Sequence, residues 1–478
     1  QKLHELTQQM IGQDKNQLLS ELMELLGQDH VSIKEDTLEA FSHDETEDLT
    51  YLPQVVAFPR HTEDVSAIMK LASKHQVPVT PSAARTGLAG GAIPVKGGIA
   101  LSMKHLNRIL DIDQDNSQAI VEPGVINQVF QEACMALGLM YPPDPSSWGT
   151  STMGGNVATN AGGPRAVKYG VTAAYILNLE VVLPNGDIIW TGANTLKNST
   201  GYNLTQLFVG SEGTLGVVTK IVCRLIPQPR HRFTLLAPFA SAEAACAAVS
   251  KVFQAGITPS GMEFMEIDAI TWAAKYVKVD NLPLGDGVEA HLLMEVDGLD
   301  EEAVMKEAEA LAAVVESHGA LDVLFAQSHK EREALWKLRR AVGEAVKSHS
   351  VYKEEDTVVP RAKLPELLQT VKSIGKAYGF QSVCYGHAGD GNLHVNIIKG
   401  DMSDADWHGN KLKQGIRELF QEVVAMGGTL SGEHGIGLVQ KDYLDIAFSK
   451  TVMQLQQGIK GLLDPLNIMN PGKIFPEA

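Results

Sequence analysis

Glycine places the tightest limit on what this chain can become. Three segments, TPSAARTGLAGGAIPV (80–95), SSWGTSTMGGNVATNAGGPR (146–165) and FVGSEGTLGVVT (208–219), gather glycine and other small residues in its first half. Glycine permits positive φ and lets the backbone approach a ligand closely, and successive free N–H groups then form an anion cradle. Three such loops suit a long ligand with several phosphates, such as a dinucleotide. No Gly-Lys-Ser/Thr follows any of them, so none is a Walker loop. None reads G-x-G-x-x-G between a strand and a helix, so a Rossmann NAD site has no support. A dinucleotide binder of another kind remains.

The surrounding texture suits that reading. Residues 1–28 predict a helix, with Leu3, Leu6, Met10, Leu18, Leu19 and Leu22 at helical spacing. From Tyr51 to Ile188 short strand-like runs (QVVAF, VPVTP, GIALSM, AIVEPGV) alternate with amphipathic helices over Val65–Lys74 and Val125–Leu137. ILNLEVVLPNGDIIW carries a Pro-Asn-Gly turn between paired strands, and IPQP near Leu225–Pro229 reads as a linker. Beyond it, Ala-rich helices (Ala242–Phe253, Glu301–His318, Glu331–Lys347) alternate with strands such as HLLMEVDG. That order predicts an antiparallel sheet with helices on one face. The tail from about Asp404 is helical again.

Composition excludes several classes. With 478 residues the chain calls for two or three domains, and a formal charge of −17 argues against nucleic acid or an anionic membrane as the main partner. The four cysteines form no C-x-x-C pair, which removes iron–sulfur and zinc-ribbon readings and gives no disulfide framework. No apolar run reaches membrane-spanning length, and the N-terminus does not read as a signal peptide. A cytoplasmic location, at most peripheral to the inner membrane, is the expectation, with a homo-oligomer left open.

PSAARTGLAGG, MGGNVATNAGG and GSEGTLGVVT, in that order and spacing, resemble the FAD-binding domain of the vanillyl-alcohol oxidase and p-cresol methylhydroxylase superfamily. The resemblance runs on to NPGK at 470–473, and is closest in kind to the glycolate oxidase subunit, D-lactate dehydrogenase and D-2-hydroxyglutarate dehydrogenase group. It implies an α+β fold: a two-part FAD-binding domain (48–229) and an α+β cap with an antiparallel sheet (230–425). An N-terminal helical segment (1–47) and a C-terminal one (426–478) that packs back near the flavin complete it. It assigns Pro81, Ser82, Ala83, Ala84, Arg85, Thr86, Gly87 and Leu88 to the FAD pyrophosphate. Gly154, Gly155, Asn156, Thr159 and Gly162 go to the flavin and ribityl chain, and Glu212, Gly213, Gly216 and Val218 to the adenine end, with Asn470 as a further cofactor contact. In place of the two or three glycines usual after the loop's proline stand Ser82, Ala83, Ala84 and Arg85, and Arg85 offers a charge toward phosphate. No histidine attachment signature stands out, so the FAD is expected to be non-covalent.

A second constellation lies far downstream. GHAGDGNLHVN (386–396) reads as a hairpin whose arms can present His387 and His394 to one point, with His394 and Asn396 on one strand face. SGEHGIG (431–437) adds Glu433 and His434 in a glycine-flanked turn. Two imidazoles and a carboxylate with an open position suit a divalent ion such as zinc, manganese or iron. The resemblance implies that His387, His394 and Glu433 bind the ion, that Asn396 lies on the substrate side and that His434 is the general base. The chemistry would be oxidation of a D-2-hydroxy acid, D-lactate first, by hydride transfer to flavin N5, with the ion making the hydroxyl more acidic. Glycolate and D-2-hydroxyglutarate are the alternative substrates, and a non-catalytic electron-transfer subunit is the rival reading. A carboxylate anchor is implied at Arg339 and Lys353, with Arg340 as competitor, since adjacent helix positions point about 100° apart. Gly343 stands where some D-2-hydroxyglutarate dehydrogenases carry Thr. The electron acceptor, whether an electron-transfer flavoprotein, a quinone or a cytochrome, has no readable motif.

Overall fold

A computed structural model describes residues 15–477 of the chain. Of the helix expected over 1–28, the part 15–26 is present and the rest lies outside the described residues. Leu18, Leu22 and Leu26, four apart, are buried on one face, and Gly27 at φ 86° ends the helix.

The strands expected from QVVAF, VPVTP and GIALSM form as Val55–Ala57, Val79–Ser82 and Ile99–Ser102. They run parallel, with Ile99–Ser102 in the middle, and Val31–Ser32 adds an antiparallel edge. The helix Thr62–His75 makes the crossover. The first glycine-rich loop therefore leaves the carboxyl end of a parallel strand, where open α/β sheets hold their ligands.

A five-stranded antiparallel sheet follows, in the order Ile109–Asp113, Gln118–Val121, Val217–Arg224, Ile176–Val182, Ile188–Trp190. The Pro-Asn-Gly turn joins the last two as expected. The second glycine-rich segment becomes the short helix Met153–Thr159, capped by the Thr152 hydroxyl, and the third loop leads into Val217–Arg224.

The C-terminal half is built on one seven-stranded antiparallel sheet: Leu324–Phe325, His231–Phe239, Ala290–Gly298, Gly261–Glu266, Gln381–Gly386, Asn392–Ile398, Tyr352–Val358. Helices cover both of its faces, not one as the sequence predicted. Leu235, Leu292 and Cys384 pack under Ala242–Gln254, Glu301–Ser317, Leu364–Tyr378 and Asn410–Ala425. Their neighbours Leu236, Leu293 and Val383 point the other way, against Ile267–Val277, His329–Arg340 and Val342–His349. The unbroken apolar run in HLLMEVDG is what a strand covered on both sides requires. Each leucine so enclosed contributes about 1.5–3 kcal/mol.

The helix expected over Glu331–Lys347 is two, His329–Arg340 and Val342–His349. The Ala341 N–H is shared between the carbonyls of Lys337 and Leu338, the tightened geometry of a helix end. The four cysteines are buried and free, and among the described residues no helix is long and apolar enough to cross a membrane.

Candidate active site

The glycine-rich loops and the seven-stranded half enclose a cleft of about 630 Å³, within the range of cofactor and ligand pockets. Pro81–Leu88 line it, with Gly154, Gly155, Asn156, Thr159, Glu212, Gly213, Gly216 and Val218. The walls fit a large polar ligand. Ser82 Oγ, Asn156 Nδ2 and Asp44 Oδ2 are buried there without a hydrogen-bond partner, and such orphans are rare in a finished interior. Arg85 and Glu212 take left-handed backbone at φ 57° and 55°, so of the four residues standing where glycine is usual, Arg85 keeps the positive φ that a glycine would supply. Arg85, however, lays its guanidinium 4.1 Å over the Phe41 ring.

Three expected cofactor contacts have other surroundings. Gly162 lies outside the cleft lining, and a Cβ there would stand 2.7 Å from Glu433 Oε2. Asn470 is also outside the lining and donates from Nδ2 to the carbonyls of Gly91 and Glu212, bracing two of the loops from behind. The Glu212 carboxylate accepts from the backbone N–H groups of Ile436 at 3.2 Å and Gly437 at 2.8 Å. Burial raises its pKa to about 7.

The strand pair Gln381–Gly386 and Asn392–Ile398 is the hairpin the sequence implied. Its turn carries His387, and register sets His394 between Tyr385 and Asp356 on the neighbouring strands. His387 Nε2 and His394 Nε2 converge on Glu433 Oε1 at 3.2 and 3.4 Å. Each ring is backed by carboxylates at its other nitrogen. His387 Nδ1 is hydrogen-bonded to Glu263 at 2.7 Å, whereas His394 Nδ1 lies 3.4 Å from Glu354 and 3.5 Å from Asp356 without a hydrogen bond to either. An N–H toward those acids leaves both Nε2 lone pairs facing Glu433, an arrangement typical of histidines that hold a metal. Glu354, His394 and His434 also stand within 4.8 Å of one another, but that grouping would need the His394 nitrogen turned to the acids.

The electrostatics favour a cation in the cluster. Burial disfavours a charged His387, yet Glu263 and Glu433 hold its pKa well above the usual value. Burial would raise Glu433, and His387 and His394 instead hold it well below a normal carboxyl. His434 stacks on His394 with centroids 5.2 Å apart; burial lowers its proton affinity, but Asp356, Glu354 and Glu433 raise it further. A buried acid-rich group with two convergent imidazoles fits a divalent ion of the zinc, manganese or iron type.

The loop 431–437 is suspended between two buried acids. Asp356 Oδ2 accepts from the N–H of Glu433 at 2.8 Å and of His434 at 2.9 Å, and from Ser431 Oγ at 3.0 Å. The Gly435 N–H donates within the loop to Ser431 Oγ at 2.9 Å, and Glu212 holds the N–H groups of Ile436 and Gly437. Backbone restraint thus acts together with the Glu433–His387 contact and the His434–His394 stack to turn these two residues to the cleft.

Arg339 and Arg340 both line the cleft, although helical spacing admitted only one. They form the last turn of their helix, where the chain changes course at Ala341. Arg339 is 2% exposed, lies 5.1 Å over the Tyr385 ring, and leaves both Nε and Nη2 without a hydrogen-bond partner. Lys353 is not brought to the cleft. Its Nζ donates to the Trp407 carbonyl at 2.9 Å, because strand alternation turns Glu354 and Asp356 to the site and Lys353 to the opposite face. Asn396 is fully buried beneath the cleft wall and donates to the Val383 carbonyl at 3.2 Å.

Sequence reasoning missed Glu263, Glu354, Asp356 and Tyr385. KEEDTVVP held the signal for two of them, since a strand shows alternate residues to one side. MEFME held a weaker one, an acid between apolar neighbours in a buried strand.

Residues 228–474 match the family model for FAD linked oxidases, C-terminal domain, and residues 53–192 match that for an FAD binding domain. The glycolate oxidase subunit GlcD of Bacillus subtilis (strain 168) is 40% identical over 438 residues, covering 91% of this chain and 92% of that protein. A D-lactate dehydrogenase of Anaerostipes hadrus is 38% identical over 93% of this chain and 94% of its own length. A D-2-hydroxyglutarate dehydrogenase of Stutzerimonas stutzeri (strain A1501) is 34% identical over 96% and 98%. Among solved structures, p-cresol methylhydroxylase with substrate bound shares the fold at a TM-score of 0.80 and 18% identity, over 96% of each chain.

Proposed function

The chain belongs to the family of FAD-linked oxidases, and on that premise we propose that it oxidises a D-2-hydroxy acid, D-lactate foremost, with the help of one divalent metal ion. One observation carries the reading: His394, Glu433, His434 and Arg339 open onto the same cleft as the glycine-rich loops.

Pro81–Leu88, Gly154–Asn156 and Gly213–Val218 would hold FAD non-covalently, and His387, His394 and Glu433 would hold the ion. A bound FAD supplies the electron acceptor, and a bound divalent ion lowers the pKa of a hydroxyl. The rest falls to the chain. Arg339, with Nη2 free, clamps the substrate carboxylate, and Arg340 adds positive field from the next position. His434, beside His394, takes the hydroxyl proton at an imidazole nitrogen. Small loop residues let the substrate carbon lie close to the cofactor face, and the cap sheet excludes water.

Substrate size follows from two residues. Gly343 presents no side chain to a second carboxylate, and Glu354 turns a negative charge into the same cleft. Both favour a monocarboxylate over D-2-hydroxyglutarate. The test is anaerobic mixing of the yellow protein with D-lactate, glycolate and D-2-hydroxyglutarate. D-lactate is expected to bleach the flavin band fastest, and prior treatment with a chelator to abolish the bleaching. No bleaching by any of the three would refute the enzyme reading in favour of an electron-transfer subunit. Bleaching that survives metal removal would refute the ion.

A further inference from the structure

We propose that Glu263 is a positioning residue that serves both halves of the site at once, fixing the ring of the metal ligand His387 and the fork of the substrate anchor Arg339. The inference rests on the metal and substrate roles proposed above and extends them to a residue that neither role names.

Glu263 sits in the strand Gly261–Glu266 between Met262 and Phe264, and its side chain is fully buried. Its cross-strand neighbour on one side is Leu293, which offers it nothing. On the other side Phe264 pairs with Gly386, so the register carries Glu263 to His387. There its two oxygens lie 2.7 and 3.0 Å from His387 Nδ1, and Oε1 lies 3.4 Å from Arg339 Nε. A buried carboxylate is tolerated only when charged or donor groups satisfy it, and these two are its partners among the described residues.

Each contact adds a restraint at an element's end. His387 stands just past its strand, at the N-cap of the short turn Ala388–Asp390, and its buried ring meets Glu433 at Nε2 and the His394 ring at its edge. The Glu263 contact selects Nδ1–H and sends Nε2 toward Glu433; a ring turned over would set a carbon against the carboxylate. Arg339 is the penultimate residue of its helix. Glu263 meets Nε as an ion pair at 3.4 Å rather than as a hydrogen bond, a charge contact that draws the guanidinium to one side while Nε and Nη2 keep their hydrogens unpartnered on a residue that lines the cleft. Glu263 thereby sets the distance between the point where the ion binds and the point where the substrate carboxylate binds.

The test uses the full chain carrying FAD, as wild type, Glu263→Gln and Glu263→Asp. Zinc affinity is measured by chelator competition, and kcat and KM for D-lactate at saturating zinc. Glu263→Gln should bind zinc on the order of 10–100-fold more weakly, the usual effect of losing a carboxylate behind a metal-bound histidine. Saturating zinc should then restore kcat to within about twofold while KM stays raised about tenfold, because metal occupancy returns and the aim of Arg339 does not. Glu263→Asp, which keeps the charge, should fall between the two. FAD content and melting temperature report folding separately. Unchanged zinc affinity and KM in an FAD-loaded Glu263→Gln protein would overturn the proposal, leaving Glu263 as a structural ion-pair member. Should Glu263→Gln fail to load FAD, Glu263→Asp decides on the same two readings. A wild type that binds zinc but oxidises no hydroxy acid refutes the substrate reading, and the zinc measurement still decides the role of Glu263.

Discussion

Replacing Asp356 by Asn should release the loop 431–437 while leaving FAD binding intact. Asp356 Oδ2 takes three donors from the loop, at 2.8 Å (Glu433 N), 2.9 Å (His434 N) and 3.0 Å (Ser431 Oγ), and Oδ1 takes Asn392 Nδ2 at 2.8 Å. A hydrogen bond to a charged acceptor contributes about 1.5–3 kcal/mol and a neutral one about 0.5–1.5. An Asn side chain can keep its oxygen toward the loop, so each of those bonds survives but weakens by about 1 kcal/mol. Its nitrogen then faces the Asn392 amide, donor against donor, until Asn392 turns over and gives up its bond to the Thr357 carbonyl. The three weakened loop bonds alone lose about 3 kcal/mol, or about two decades in the loop-opening equilibrium. Hydrogen exchange of the Glu433 and His434 amides should accelerate about 10²-fold, and flavin reduction by D-lactate should slow by a similar factor. FAD content should hold, since the residue touches none of the glycine-rich loops. Unchanged amide exchange together with unchanged flavin reduction would refute the claim that this carboxylate suspends the loop.

Other substitutions probe single parts of the site. His434→Ala should leave FAD bound and cut the rate of flavin reduction about 10²–10⁴-fold, as expected for loss of a general base, and stopped-flow absorbance checks it. Gly162→Ala places a methyl group 2.7 Å from Glu433 Oε2, so metal content should fall while the melting temperature barely moves; metal analysis beside a thermal scan tests this. Lys353→Ala should leave kcat/KM for D-lactate within about twofold, because the ammonium group is tied to the Trp407 carbonyl, and should cost about 1 kcal/mol of stability in denaturant titration.

How far the sequence carried depends on whether a feature is local. The hairpin that holds His387 and His394 was legible because its turn residues and both arms lie within one short segment. The glycine-rich loops were legible as a set, but not what each glycine meets. Gly154 is required by Pro123 behind it, at 2.5 Å from a Cβ, as much as by any ligand in front. In KEEDTVVP the resemblance pointed to Lys353, whereas strand alternation turns Glu354 and Asp356 to the site, beside His394. Glu263 could not have been chosen, since its meaning depends on a strand pairing with residues more than a hundred positions away. The coverage of the sheet was misjudged for a related reason. A run of consecutive apolar residues tells that both faces are buried, but Ala-rich helices do not state which side they take.

The loop 431–437 hangs from Glu212, on the glycine-loop side, and from Asp356, on the edge strand of the large sheet. Neither half of the molecule can finish it alone. The loop is thus held on both sides only where the two halves are folded and in contact. On the roles proposed above, a copy whose halves have come apart has His434, its proposed proton acceptor, out of place.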